Sequence, residues 1–440
     1  MKKMDFDTQT NKNPVRALRR RVLVAQLYIS ANKYYFNMHK TSGLDVHKDT
    51  VFCGVYNGKV HKDVKEYSTL TNSIVCMGEY LKNEGVKQIA IESTGIYWIP
   101  VWNILEEMGF ELTLVNPYLI KQMPGRKSDI KDAQWIATLL HKGLLRGSLV
   151  PCKAIRELRI YSRKYIKLQQ RQTSVLQDLE RNLEMCNIRI TSFVSNISGK
   201  SVINIIKQIV EGETDPEELI GYVHGRIINK HKRNTIKESL KGFITPQHRY
   251  MLELSMEELE LLEKHTESCL NKMRELCQKY YQKEFSLLLT IPGISETSAM
   301  IVIAETGADM RAFENSGKFS GWTGLRPRND ESAGKYKSTA TTKGNRYLKT
   351  VLVQIAWAAS RTKGSYFKEK FTRLSIRKSR KKALIAIARK IGVVIWNVLF
   401  YQENFNTKKL IVYEPVKVQA KMNYHQKEFE RLEKLLKVNA

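Results

Sequence analysis

Gly43-Leu44-Asp45-Val46, Val51-Phe52-Cys53-Gly54-Val55-Tyr56, an Asn57-Gly58 pair and a run from Val60 to Tyr67 follow one another between Ser42 and Thr69. Apolar residues recur there with period two, which puts successive side chains on opposite faces of a strand, and Asn-Gly suits a two-residue hairpin turn. The stretch predicts a three-strand antiparallel meander. Downstream, a helical pattern covers Ser73 to Asn83, a short apolar strand runs from Gln88 to Glu92, a helix spans Tyr97 to Met108, and Glu111 to Val115 is another strand ending at Asn116-Pro117. Three hairpin strands followed by alternating helix and strand predict a mixed sheet covered by helices, an α/β arrangement. Ser128 then caps a helix reaching His141.

The remainder reads as helix. Ala154 to Met185 is a basic helix with few breakers, carrying Arg156, Arg159, Arg163, Lys164, Lys167, Arg171 and Arg181. Leu252 to Tyr280 keeps a heptad seam through Leu252, Leu259, Leu262, Cys269, Met273 and Leu276. The two can pair as an antiparallel coiled coil within one chain or contribute to a dimer interface, and the sequence leaves both open. Between them, Ser192 to Pro246 reads as a smaller, loop-interrupted insertion. Farther on, Ile291-Pro292-Gly293-Ile294-Ser295 precedes a helix from Glu296 to Thr306. This is the helix-hairpin-helix pattern, in which backbone amides around Pro292 and Gly293 can receive a phosphate. A plain helix-turn-helix connection with glycine as C-cap is the other reading.

Charge narrows the partners. The chain has 440 residues, a net charge of +29 and a pI near 9.7, a self-repulsion best relieved by a polyanion. From Lys335 to Lys390 there are seventeen basic residues against one acidic, Glu369, which marks a candidate nucleic-acid surface. A membrane is the other polyanion, but the longest apolar run, Ala383 to Tyr401, is interrupted by Arg389 and Lys390, so no membrane partner is expected. Cys53, Cys76, Cys152, Cys186, Cys269 and Cys277 stand singly, without disulfide or zinc spacing, which fits a reducing cytoplasm.

Four carboxylates stand out. Asp45 lies on the first strand, Glu92 ends a later one, and Asp129 and Asp132 are three apart on a helix, hence on one face. Convergent carboxylates suit a pair of magnesium ions, which can stabilise the attacking and leaving oxygens of a phosphodiester displacement. The same residues also read as strand-end solvent groups and as a first helical turn that complements the helix dipole.

The blocks Gly43 to Lys48, Glu92-Ser93-Thr94-Gly95-Ile96-Tyr97, Val115-Asn116-Pro117 and Lys127-Ser128-Asp129-Ile130-Lys131-Asp132-Ala133 resemble the DEDD transposases of bacterial insertion sequences, whose catalytic domain is similar to the resolvase RuvC. Ala304-Glu305-Thr306-Gly307, Gly321-Trp322-Thr323-Gly324-Leu325-Arg326-Pro327, Glu331-Ser332-Ala333-Gly334-Lys335 and Lys343-Gly344-Asn345-Arg346-Tyr347-Leu348 resemble that family's C-terminal transposase domain. The resemblance implies an RNase H-like, RuvC-like catalytic domain and an all-α C-terminal domain with a helix-hairpin-helix. Asp45, Glu92, Asp129 and Asp132 would be the catalytic metal ligands for two Mg2+ ions, with Mn2+ as a substitute, and Ser332 the nucleophile that holds DNA as a phosphoserine. Lys335, Lys343, Asn345 and Arg346, with Pro292, Gly293, Arg163 and Arg171, would contact nucleic acid. Donor and target DNA, a non-coding guide RNA from the same element and a homodimer or homotetramer complete the implied partners.

The resulting division is a basic extension over 1–41, the catalytic domain over 42–150, a coiled-coil and helical region over 151–285, the C-terminal transposase domain over 286–404 and a tail over 405–440. Two other functions remain open to the sequence. One is a RuvC-like junction-resolving nuclease that uses metal-activated water and leaves Ser332 structural. The other is a non-enzymatic architectural DNA-binding protein, for which magnesium would be irrelevant.

Overall fold

Strand β1 (Lys40–Val46) is the axis of the N-terminal unit. It pairs antiparallel with β2 (Thr50–Tyr56), which pairs antiparallel with β3 (Lys65–Ser68). Helix α1 (Thr71–Asn83) leads to β4 (Val86–Ser93), and α2 (Trp98–Glu107) leads to β5 (Glu111–Val115). β4 pairs parallel with β1 on its other side and β5 pairs parallel with β4, giving a mixed sheet of order β3-β2-β1-β4-β5. The computed structural model describes residues 39–93, 95–117, 128–145, 147–328, 330–332, 335–338, 340–410 and 415–438. Most of the basic N-terminal extension, residues 1–38, lies outside the described residues, as does Lys127.

The expected third strand is shorter than its sequence pattern. Val60 is 65% exposed, and only His61 bridges back to Tyr56 before β3 begins. At a sheet edge nothing buries the apolar positions of Val60 to Val64, so alternation alone does not hold them in the ladder.

Helix α3 (Asp129–His141) lies directly on the sheet. A side-chain carbon at Gly43 would come within 2.3 Å of the Ala133 carbonyl and 2.4 Å of the Ala137 amide, so the backbones meet only because glycine stands there. Its cross-strand partner Gly54 has the same neighbour, Ala133, at 3.1 Å. Thr41 donates its hydroxyl to the Ala137 carbonyl at 3.0 Å, which sets the helix antiparallel to β1. Ser128 accepts from the Lys131 amide and starts the helix where the sequence places it.

Chain contacts divide at Val150/Pro151. The second unit opens with two long helices, α4 (Lys153–Met185) and α6 (Pro246–Tyr280), separated by α5 (Lys200–Glu211) and several short helices of seven residues or fewer. Leu168, Val175, Leu179 and Leu183 of α4 share a core with Leu252, Met256, Leu259 and Leu262 of α6, while Ile155 and Leu158 join Met273 and Cys277 in the next core. The seam therefore closes antiparallel within one chain. α6 starts six residues before the apolar seam, because Thr245 caps it with a reciprocal His248 bond and Pro246 occupies the first turn.

Beyond α7 (Gln282–Leu289), α8 (Glu296–Thr306) and α9 (Ser316–Trp322), a small antiparallel ribbon of β6 (Asp330–Ser332) and β7 (Lys335–Ser338) interrupts an otherwise helical region. Helices α10 (Arg346–Arg361), α11 (Tyr366–Arg377) and α12 (Arg380–Tyr401) follow, then α13 (Pro415–Val438) in the tail. By length and composition α12 is apolar enough to cross a membrane despite Arg389 and Lys390. Its Ile387, Ile391 and Ile395 have no exposed surface, and α7, α9, α10 and α11 pack around it, so it is the central core helix of this unit. The six cysteines are free thiols, and burial pushes that of Cys53 up to about 12.

Candidate active site

The Gly43 contact decides where the carboxylates meet. Residues two apart on a strand share a face, so Asp45 projects on the same face as Gly43, which α3 covers. Because α3 runs antiparallel to β1, its first turn reaches the strand end that carries Asp45. The outcome is a cluster in which ligand atoms of Asp45, His47 and Asp129 all lie within 4.8 Å of one another. Asp45 is buried, 7% exposed, whereas His47 and Asp129 are open to solvent. The His47 Nε2 stands 3.3 Å from Asp45 Oδ2 and 3.7 Å from Asp129 Oδ1, bridging the two.

Glu92 is the parallel-register partner of Asp45 on β4, so its side chain leaves the same face one strand away. Asp132 lies one helical turn beyond Asp129 and is half-buried. The structure thus brings Asp45 and Asp129 together, sets Glu92 and Asp132 beside them but outside the 4.8 Å group, and adds His47. The sequence signal for His47 was its position two residues after Asp45. The donor chemistry fits a divalent cation: carboxylate oxygens are hard ligands, and a third donor already faces both. The positive end of α3 points at the same place and favours the ionised form of these carboxylates.

Ser332 closes β6 and pairs with Lys335 across the ribbon; their side chains are outside the described residues. Backbone hydrogen bonds tie the root of the ribbon together. The Arg328 amide donates to Ala340, the Thr342 amide to Arg326, and the Asn345 amide to Trp322. Gly344 passes so close to Gly324 that a side-chain carbon there would lie 2.3 Å from the Gly324 nitrogen. The glycines of those two sequence blocks thus form the neck of the ribbon that carries Ser332.

Beneath the neck sits a buried carboxylate. Glu305, with no exposed surface, accepts from Arg163 Nε at 2.8 Å and Nη2 at 2.9 Å, and from Asn345 Nδ2 at 2.7 Å. Arg159 donates to the Ala304 and Glu305 carbonyls at 2.9 Å. The Glu305 hydrogen bonds hold the Arg163 guanidinium above its usual range, whereas burial lowers that of Arg159. Asn345 also caps α10, accepting from the Tyr347 and Leu348 amides. Arg163 and Asn345, expected on nucleic acid, both bond this internal carboxylate, because a buried carboxylate requires charge and hydrogen-bond partners.

Of the other nucleic-acid candidates, Arg171 and Lys343 are exposed, and Arg346 is exposed with its guanidinium 4.9 Å from the Tyr347 ring. Gly293 has φ +90 and packs against α10, where a side-chain carbon would lie 2.6 Å from the Ala359 amide. Pro292 is half-buried in the same turn. Ser295 caps α8 with a reciprocal Ser298 bond.

With both units in view, residues 42–188 match the DEDD transposase model of the IS110 group, and residues 285–372 match the model described as Transposase IS116/IS110/IS902 family. The chain belongs to the IS110-type DEDD transposase family. It is 30% identical over 142 residues to the transposase for insertion sequence element IS1111A of Coxiella burnetii (strain RSA 493 / Nine Mile phase I), covering 30% of this chain and 35% of that one. It is 27% identical over 127 residues to the putative transposase y4pF/y4sB of Sinorhizobium fredii (strain NBRC 101917 / NGR234), covering 27% and 32% respectively. The matched segment thus spans about a third of these curated relatives. A solved structure of T. thermophilus RuvC in complex with Holliday junction substrate matches 25% of this family member and 99% of that chain at 15% identity, with a TM-score of 0.21.

Proposed function

We propose that the chain is a transposase that cuts and rejoins DNA strands of an insertion sequence, acting on donor and target DNA in the cytoplasm. The observation that carries this reading is the meeting of Asp45 and Asp129 at the β1 end, inside a segment that matches a DEDD transposase model. Asp45, Glu92, Asp129 and Asp132 would hold two Mg2+ ions, with Mn2+ able to substitute. Divalent metal there would polarise the scissile phosphate and lower the pKa of an attacking hydroxyl.

Ser332 is the proposed nucleophile. Its Oγ forms a bond to phosphorus as the strand's P–O bond breaks; the serine proton is lost and the departing oxygen gains one. Attack by a hydroxyl of a second strand reverses the step and frees the serine. One phosphodiester is formed for each one broken, so no nucleotide hydrolysis is needed. The Glu305 lock fixes the neck of the ribbon that presents Ser332, while Lys335, Lys343 and Arg346 supply phosphate contacts around it. An element-encoded guide RNA would supply sequence choice, and a homodimer or homotetramer would act on the four strands. The working division is 42–150 for metal-dependent catalysis, 151–285 for the helical spacer and 286–404 for the serine-bearing domain.

The test is strand joining. Purified protein, RNA transcribed from the element's flanks, labelled donor and target DNA and Mg2+ should yield recombinant strands. Asp45→Asn and Asp129→Ala should each abolish them without changing the melting temperature. Equal product in the presence of excess chelator would overturn the reading.

A further inference from the structure

A cleft of about 670 Å3 opens in the C-terminal unit between α4, the Gly293–Ser295 turn with α8, and α10. We propose that this cleft holds a single nucleotide lifted out of a nucleic-acid strand. The inference rests on the reading of the chain as a nucleic-acid recombinase, and goes beyond it by naming a base pocket.

The lining has three kinds of group. Val351 and Ile355 are buried and give it an apolar floor. Gln170 of α4 and Gln354 of α10 face it from different helices with neutral amides, the side chains that pair with base edges through a donor and an acceptor at once. Lys167 and Arg346 are the cations of the lining, and both are exposed. Among the described residues that line it none is acidic.

An apolar floor with amides matches a base, and exposed cations on two separate helices match the phosphates on either side of it. A solvated face would repeat charges of one kind; a hydrophobic protein groove would lack the paired amides. The volume is that of a small-ligand pocket. An intact duplex keeps its bases stacked, so only an unpaired or extruded residue can enter.

Aromatic support is present and already positioned. Tyr347 carries the Arg163 guanidinium 4.6 Å from its ring centre and that of Arg346 at 4.9 Å, so its ring is committed to cations. Tyr165 is half-buried, lines the cleft together with Thr297, and is the ring left to face a base. The Arg163–Glu305 lock thus also holds one wall of the pocket. The cleft adjoins the start of the run from Lys335 to Lys390, so a strand bound to that basic surface passes its mouth at Arg346.

The experiment is an anisotropy titration of the full chain with labelled oligothymidylate, oligouridylate and a DNA duplex at fixed salt. Gln170→Ala/Gln354→Ala changes only solvent-exposed positions and is checked for an unaltered melting temperature. It should bind single strands about tenfold more weakly, the scale of one lost base contact, while duplex affinity and its salt dependence stay as in the wild type. Loss on the DNA oligomer assigns the pocket to a DNA strand; loss confined to the RNA oligomer assigns it to an RNA strand. Unchanged single-strand affinity overturns the pocket and leaves the recombinase reading standing. Failure of the wild-type protein to bind any of the three overturns both.

Discussion

Arg163→Ala should destabilise the protein far more than it weakens DNA binding. The substitution removes both donors that Arg163 offers to the fully buried Glu305, at 2.8 and 2.9 Å. Stripping one partner from a buried ion pair costs about 3–5 kcal/mol. Two features pull the figure down. The Arg163 side chain is 41% exposed, so solvent screens part of the interaction, and Asn345 and Arg159 remain on the carboxylate at 2.7 and 3.9 Å. We expect about 2–3 kcal/mol after that discount, or roughly 3–5 °C in melting temperature for a unit of this size. Urea unfolding followed by far-ultraviolet circular dichroism measures it. Glu305→Gln in the Arg163→Ala background should recover part of the loss, because the uncompensated charge is gone. A variant within about 0.5 kcal/mol of wild type, with a shallower salt dependence of DNA binding, would refute the argument and return Arg163 to the phosphate-binding set.

Two further outcomes follow from the N-terminal unit. Gly43→Ala places a methyl against the Ala133 carbonyl and Ala137 amide, so α3 must move; a loss of about 1–3 kcal/mol is expected from overpacking, with weaker Mn2+ binding in calorimetry as Asp129 leaves Asp45. Undiminished Mn2+ affinity would show that the glycine contact does not position the cluster. His61 has its Nδ1 buried without a hydrogen-bond partner, and burial lowers its pKa below 6.5. Above pH 6.5 both folded and unfolded forms are neutral there; as pH falls below 6.5 the unfolded chain takes up the proton first and stability drops. The fall in melting temperature between pH 7 and pH 5, a window chosen to bracket a pKa of about 6.5, should be smaller in His61→Gln. An identical pH profile would remove His61 as its cause.

Several of these elements are legible in the sequence for physical reasons. The alternation from Ser42 to Tyr56 fixes the faces of β1 and β2, and Ser128 and Ser295 carry their helix starts in their own side chains. Asp45 and Asp129 were legible as candidates, but their meeting depends on the backbone contact at Gly43, which no periodicity reports. Thr245-Pro246 marks the start of α6, six residues before its apolar seam begins. The basic helix misled in part: Arg163 looks like Arg171 in sequence, yet it faces Glu305, a buried carboxylate 142 residues away. Charge counting cannot distinguish an arginine that neutralises a core carboxylate from one that awaits a phosphate. The ribbon at Ser332 was likewise hidden, since its neck is two glycine blocks whose pairing is tertiary.

Metal ligands at Asp45 and Asp129 are proposed to act with a serine nucleophile at Ser332. The most direct measurement is to denature a reaction containing Mg2+, element RNA and labelled DNA, and to resolve DNA that has become covalently attached to the protein. An adduct is expected in the wild type and should disappear in both Ser332→Ala and Asp129→Ala. DNA cleavage without an adduct, persisting in Ser332→Ala, would contradict it and make the chain a hydrolytic nuclease.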